Sequence, residues 1–570
     1  MLKKPKVGLR FSVSTFSLLS LLILVLSACG AQGTPTTGQP GTSNKPVAGG
    51  TWIDDIGNEP DSLIPNGGSQ TFSVLVDQAL YSPLFVGDYN GNIKPYIATE
   101  VPTVANGGVS ADAKTWTFHI RPGVKWSDGH PLTAEDVDFT WKLWKNPKFG
   151  AASTVAYDPI ESADVSADKL SITFHLKEPF APFVSGWVDG GLAPLPKHHF
   201  ESMKPEDILK SKDNLNPSVV SGPFTMSESQ PGNHYTLVKN PNYWQAAQGL
   251  PYLDKIVFKV IDNQDTILKD FQAGTATSAW FVDVSKTESY KKLSNYNFVV
   301  NPNASNFEAF VFNFTNPILG KNLEVRKAIA MAVDRDAMIK TARKGQATPL
   351  CIDHGKAYKP GYQPDAPCPK FDPAAANQLL DSAGWVKGPD GVRVKNGQRL
   401  EFKYSTTSGK PWRESDELII QSNLKDIGIK INIENHPASE FFGPFLNGGK
   451  HDIAEFESSW VYDPDDATLL SCSQIPDPKT GKQGQNWSFY CNPELEKLFK
   501  QEQQSADPNV RQDAFNKIHQ IELTDFPLVV LYSPTDPAVV KKVAHNYGPG
   551  PMGASETINV WEWWCDGGQC

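Results

Sequence analysis

The chain has 570 residues, a formal net charge of −10, and 39% apolar and 20% charged side chains, the composition of an ordinary globular protein of roughly two or three domains. Its Lys and Arg residues are scattered rather than clustered, which excludes the electrostatic footprint of a nucleic-acid binder.

Residues 1–28 read as a signal peptide. Lys3, Lys4, Lys6 and Arg10 form a basic start, an apolar run extends from Phe11 to Leu26, and small residues precede Cys29. The Leu-Ser-Ala-Cys ending resembles a bacterial lipobox, which implies cleavage before Cys29 and lipid on its thiol. An uncleaved anchor is the alternative, since about 18 apolar residues can cross a bilayer. Residues 29–49 are rich in Gly, Thr, Pro and Gln and too poor in large apolar side chains to offset their ordering entropy, so they read as a flexible tether. The expected location is therefore outside the cytoplasm, on the outer face of the cytoplasmic membrane.

Further along, TWTFHI (115–120) alternates polar and apolar side chains and runs into Arg121-Pro122-Gly123, the pattern of a strand entering a turn. The next stretch packs Asp128, His130, Glu135, Asp136 and Asp138 close together, which invites a catalytic or metal-binding reading. A structural account is simpler. Ser127-Asp128-Gly129 is a turn, Thr133 is an N-cap with Asp136 as its capping-box partner, and Leu132 and Val137 form a hydrophobic staple. Glu135 and Asp136 then stand in a first helical turn, where negative charge is favoured, and Val137, Trp141 and Trp144 form one buried stripe. Segments such as LPYLDKIVFKVI read as strands. VRKAIAMAVDRDAMIK and ESDELIIQSNLKDIG read as helices, the latter capped by Gly428, and together these indicate α/β with mixed sheets.

Six cysteines follow Cys29, an even number in an exported setting, which favours disulfides. Nearest-neighbour pairing joins Cys351 to Cys368, Cys472 to Cys491 and Cys565 to Cys570. A zinc site is the competing reading, but the sequence has no Cys-x-x-Cys knuckle. It also has no G-x-S-x-G elbow and no H-E-x-x-H helix, and its eleven histidines form no tight group along the chain. No enzyme activity, cofactor or metal is expected, although two distant carboxylates of a glycosidase leave no motif to test.

TWTFHIRPGVKWSDGHPLTAEDVDFTW closely resembles the signature of the extracellular solute-binding proteins of the peptide, nickel and oligosaccharide class, the receptors of ABC importers. GGTWIDDIGNEPDSLIPN, SGPFTMSESQPGNHYTLVKNPNYW, LEVRKAIAMAVDRDAMI, FDPAAANQLLDSAGW and NLKDIGIKINIE resemble further family segments in the family's order. The resemblance implies a two-lobed periplasmic-binding-protein-like fold with an extra inserted domain. The first lobe is expected at 50–87, 220–305 and 536–570, the inserted domain at 88–219 and the second lobe at 306–535. It also implies a monomer that captures a peptide, an oligosaccharide or another small solute and passes it to a permease with its ATPase subunits.

The same resemblance supplies candidate ligand residues. Trp460 and Asp463 match a Trp-x-x-Asp motif that sets an indole beside a bound peptide and a carboxylate against its ammonium group; Asp465 is the alternative if the loop is shorter here. Arg413, with Lys410 as a second possibility, lies where dipeptide-binding relatives neutralise the ligand's carboxylate. Ser69, Gln70, Thr71 and Phe72 fall where relatives run backbone against the ligand. No arginine lies between Arg413 and Arg511, and Glu455 stands near the position where some oligopeptide receptors carry one.

Overall fold

The strand Asn306–Phe312 is buried along its whole length, and its side chains alternate between two cores. Phe310 and Phe312 pack on one face, and Phe307, Ala309 and Val311 on the other. A strand covered on both faces needs layers of helices around it. In the computed structural model, which describes residues 45–88, 92–300, 305–460, 462–505, 507–548 and 556–570, this strand lies inside a six-stranded mixed sheet. The order is Ala347–Pro349, Leu528–Pro534, Asn306–Phe312, Ile453–Ser459, Glu401–Ser405, Lys430–Ile433.

A second mixed sheet has seven strands. Thr51–Ile56 lies near its centre, parallel to Lys255–Val260 and to Ser278–Ala279. His234–Lys239 and Phe224–Gln230 extend one side, and Ala538–Lys541 and Tyr296–Val299 the other. The chain passes between the two sheets twice, once between Val299 and Asn306 and once between Pro534 and Ala538. These are the two lobes of the fold. Residues 93–200 supply a smaller three-stranded sheet of Thr115–His119, Ser171–Leu176 and Ile160–Val165, whose core is continuous with that of the first lobe.

Locally encoded features fall where the side-chain chemistry puts them. Thr133 and Asp136 form a reciprocal capping box at the start of helix Ala134–Trp144, and Leu132 and Val137 are buried beneath it. Gly428, at φ +80°, takes the left-handed position after helix Pro411–Asp426. The segment read as one helix from Val325 to Lys340 is two, Leu323–Ala332 and Arg335–Thr341, because the Asp334 carboxylate accepts a 2.9 Å bond from the Ala337 amide and restarts the helix.

Three disulfides join Cys351 to Cys368, Cys472 to Cys491 and Cys565 to Cys570. The basic and apolar leader, Cys29 and most of the tether lie outside the described residues. Among those described, no helix is long and apolar enough to cross a membrane.

Candidate ligand cleft

Two adjoining cavities lie where the lobes meet, of about 100 and 290 Å³, and both are lined by Ser69, Thr71, Glu457, Ser458, Ser459 and Gln485. The smaller adds Gln70 and Phe72 from the first lobe, and Lys410 and Arg413 from the second. The larger adds Trp460, Asp463 and Asp465 from the second lobe, together with Tyr157, Phe180 and Val188. Those last three come from the segment between the first-lobe strands. Apolar and ordinary in sequence, they carry no signal that separates a cavity wall from a core.

The first-lobe wall is held by a carboxylate. Asp61 accepts from the Ser69 amide at 2.9 Å and from the Ser73 hydroxyl at 2.6 Å, which fixes the entry into helix Thr71–Leu80. Gln70, its N-cap, is 4% exposed, and both polar atoms of its amide are buried without a partner. A buried amide left unpaired is costly, and here a donor and an acceptor on the cavity lining are both unmatched.

The second-lobe residues do not all have the surroundings the sequence implies. Trp460 lines the larger cavity, but its indole nitrogen donates to the Asp353 carbonyl at 3.1 Å and its ring packs against Phe307 and His354. Asp463 also lines the cavity, yet both its oxygens accept from Arg511, at 2.6 and 3.1 Å. Arg511 comes from helix Pro508–Asp525 and also pairs with Glu502. The carboxylate expected to await an ammonium group therefore already has an internal cation. Asp465 accepts from Gln503 and from the Ala467 amide, and burial pushes its carboxyl up to about 6. Asp189, on the opposite wall, is pushed up to about 7 by burial, against a 3.1 Å bond from Gln78.

Arg413 differs in the same way. It is buried, its Nε donates to Glu308 at 2.8 Å and its Nη1 to Thr407 at 2.6 Å, and the Glu308 charge is the main reason its guanidinium is held above its ordinary value. Burial itself opposes that rise. Lys410 is the second cation of the smaller cavity. Its Nζ donates to the Gly57 carbonyl of the first lobe at 2.7 Å, and burial, with Arg413 nearby, pushes it down to about 8. Glu455 does not line either cavity; it is fully buried and accepts from the Tyr404 hydroxyl at 2.8 Å.

Histidines that stand apart along the chain are together in space. His354 and His519 meet beside Asp353 and Asp466, and Asp128, His130 and His198 form a second, exposed group. Sequence spacing shows Asp128 and His130 of the exposed group but not His198, and nothing of the buried one.

The chain is 27% identical over 555 residues to an oligopeptide-binding protein, AppA, of Bacillus subtilis, covering 96% of this chain and 97% of the relative. It is 30% identical over 431 residues to a probable ABC transporter-binding protein of Deinococcus radiodurans, covering 69% and 70%. The solved structure of Bacillus subtilis AppA in complex with a nonapeptide superposes with a TM-score of 0.84 at 25% identity, covering 91% of this chain and all of that one (100%). The model of the bacterial extracellular solute-binding proteins, family 5, matches residues 92–475, and with the two lobes and the cleft between them this shows that the chain belongs to that family.

Proposed function

We propose that this chain is the capture receptor of an ABC importer, held on the outer face of the membrane by lipid on Cys29, and that it closes its lobes on a peptide and delivers it unchanged to a permease. The observation that carries the ligand class is the polarity of the cleft. The smaller cavity holds Lys410, for which no carboxylate stands within ion-pair distance among the described residues, beside Arg413, which Glu308 already pairs, and Glu457, whose carboxyl burial raises. The larger shares Glu457 and adds Asp189 and Asp465, with Asp463 already paired to Arg511. A zwitterionic chain fits this arrangement, with its carboxylate toward Lys410 and its ammonium group among the acids. Apolar walls and the open Gln70 amide accept the residues between. The oligopeptide-binding relative supports the same reading. No covalent step is involved.

Calorimetric titration with peptides of free or amidated C-terminus tests the charge assignment. Lys410→Gln is expected to weaken the free-acid peptide about tenfold more than its amide, roughly 1.4 kcal/mol. Equal losses for the two peptides would reject Lys410 as the anchor, and recovery of a chemically altered peptide would reject the receptor reading.

Closure has its own test. Gly87, at the end of strand Phe85–Gly87, faces the second-lobe Tyr462 so closely that an added Cβ would sit 1.8 Å from the ring. Gly87→Ala must either swing the Tyr462 ring out of this contact or hold the lobes apart. We expect peptide affinity to fall about tenfold, about 1.4 kcal/mol, with little change in the thermal midpoint. Unchanged affinity would show that closure on the ligand does not depend on this Gly87–Tyr462 contact.

A further inference from the structure

Behind the Trp460 wall lies a group of four side chains that ligand capture does not use. Asp353, His354, Asp466 and His519 are each fully buried, and one ligand atom from each lies within 4.8 Å of all the others. His354 Nδ1 is 2.9 Å from Asp353 Oδ1 and 2.9 Å from His519 Nε2, and the third edge of that triangle is 3.5 Å. Asp466 Oδ1 stands 3.3 Å from the other nitrogen of His354.

Hydrogen bonding alone leaves this group poorly satisfied. Asp353 Oδ2, both oxygens of Asp466 and His519 Nδ1 are buried without a hydrogen-bond partner. Among the described residues no lysine or arginine pairs with either carboxylate, and taking such charges out of water uncompensated costs several kcal/mol per ion. The surroundings are dry. The rings of Tyr358, Trp460 and Phe515 pack on His354, and a Cβ at Gly361 would come within 2.6 Å of its imidazole.

We propose that these four residues bind one divalent first-row cation of the zinc class. Two imidazole nitrogens and two carboxylate oxygens are a donor set such an ion accepts. Ligand bonds of about 2.0–2.1 Å in a tetrahedron set donors about 3.3 Å apart. Asp353 Oδ1, His354 Nδ1 and His519 Nε2 make a triangle with edges of 2.9, 2.9 and 3.5 Å, and Asp466 completes the set by turning a carboxylate oxygen from His354 Nε2 toward that triangle. The doubly positive ion cancels both carboxylates, which resolves the missing partners and the missing charge together. The ligands come from three separate pieces of chain. Asp353 and His354 follow Cys351 of the first disulfide, Asp466 immediately precedes the short helix Ala467–Leu470, and His519 lies on helix Pro508–Asp525. The ion thereby pins the loop that carries Trp460, Asp463 and Asp465, since the Asp353 carbonyl also accepts the Trp460 indole. It is a structural clamp behind the ligand cavity, independent of which solute the cavity takes.

The test uses the full chain carrying His130→Ala, which removes the exposed second group, produced in medium containing zinc chloride and passed over a chelating resin before elemental analysis. One chelator-resistant zinc per chain is expected, falling below a tenth in His519→Gln and in Asp466→Asn. Less than a tenth of an equivalent in the parent, or full retention in His519→Gln, overturns the proposal. If the variants do not fold, X-ray absorption at the zinc edge of the parent decides. Two imidazoles with carboxylate oxygens support the site, and an all-oxygen or sulfur-containing shell overturns it.

Discussion

Arg413→Met is expected to lower the unfolding free energy by about 3–5 kcal/mol, because it leaves Glu308 buried with its main counter-charge gone. Glu308 is fully buried, and both its oxygens face the guanidinium, at 2.8 and 3.5 Å. Asp416, Glu455 and Glu457 surround the same arginine, but burial raises all three carboxyls, so Glu308 is the partner whose charge the loss of Arg413 exposes. Guanidinium unfolding with the disulfides intact measures the effect. The double variant Arg413→Met, Glu308→Leu is expected to recover most of the loss, since removing both partners leaves no orphan charge. Were Arg413 instead the ligand's carboxylate anchor, the single variant would lose peptide affinity while its midpoint moved by less than about 1 kcal/mol, a surface-like effect. That outcome would reject the structural role.

What could be foreseen from the sequence divides along the range of the interactions. The capping box of Thr133 and Asp136, the strand Thr115–His119 and the cap at Gly428 each depend on residues within a few positions of one another, and the chain carries that code locally. Family resemblance added the two-lobed fold and put Trp460, Asp463 and Ser69 to Phe72 at the cleft. Neither source reveals partners brought together by tertiary folding. Arg413 meets Glu308 across 105 positions and Arg511 meets Asp463 across 48, and each pairing changes what the side chain has left to offer a ligand. His354 and His519 are separated by 165 positions, and no linear spacing rule detects a cluster of that kind. The break between Ala332 and Arg335 is hidden for the opposite reason: a continuous apolar period conceals one side-chain cap at Asp334.

Raising the pH from 5 to 8 is expected to destabilise the protein by several kcal/mol, opposite to the behaviour of proteins whose carboxylates are stabilised by ion pairs. Burial pushes Asp416 up to about 8, with the Glu308 charge adding to it and the Tyr532 hydroxyl, Arg343 and Arg413 opposing. Burial likewise pushes Asp54, Asp55 and Asp189 up to about 7. Unfolded, each returns to about 4. Between those values the native chain holds protons that the unfolded chain has released, so stability falls as pH rises. The contribution is complete below about pH 4 and is lost as pH passes through 7 to 8, at about 1.4 kcal/mol per pH unit for each retained proton. Asp416 alone then accounts for about 4 kcal/mol between pH 5 and 8. Lys410 acts in the opposite sense at higher pH. Its folded value of about 8 lies below the ordinary lysine range, so the native chain sheds that proton first and stability recovers from pH 8 toward 10. Guanidinium midpoints at pH 5, 6.5, 8 and 9.5 should therefore pass through a minimum near 8, and Asp416→Asn should flatten the acid side. Midpoints that stay level or climb from pH 5 to 8 would mean that these carboxyls are ionised in the native protein, with cations or water reaching them that the fold as described does not supply.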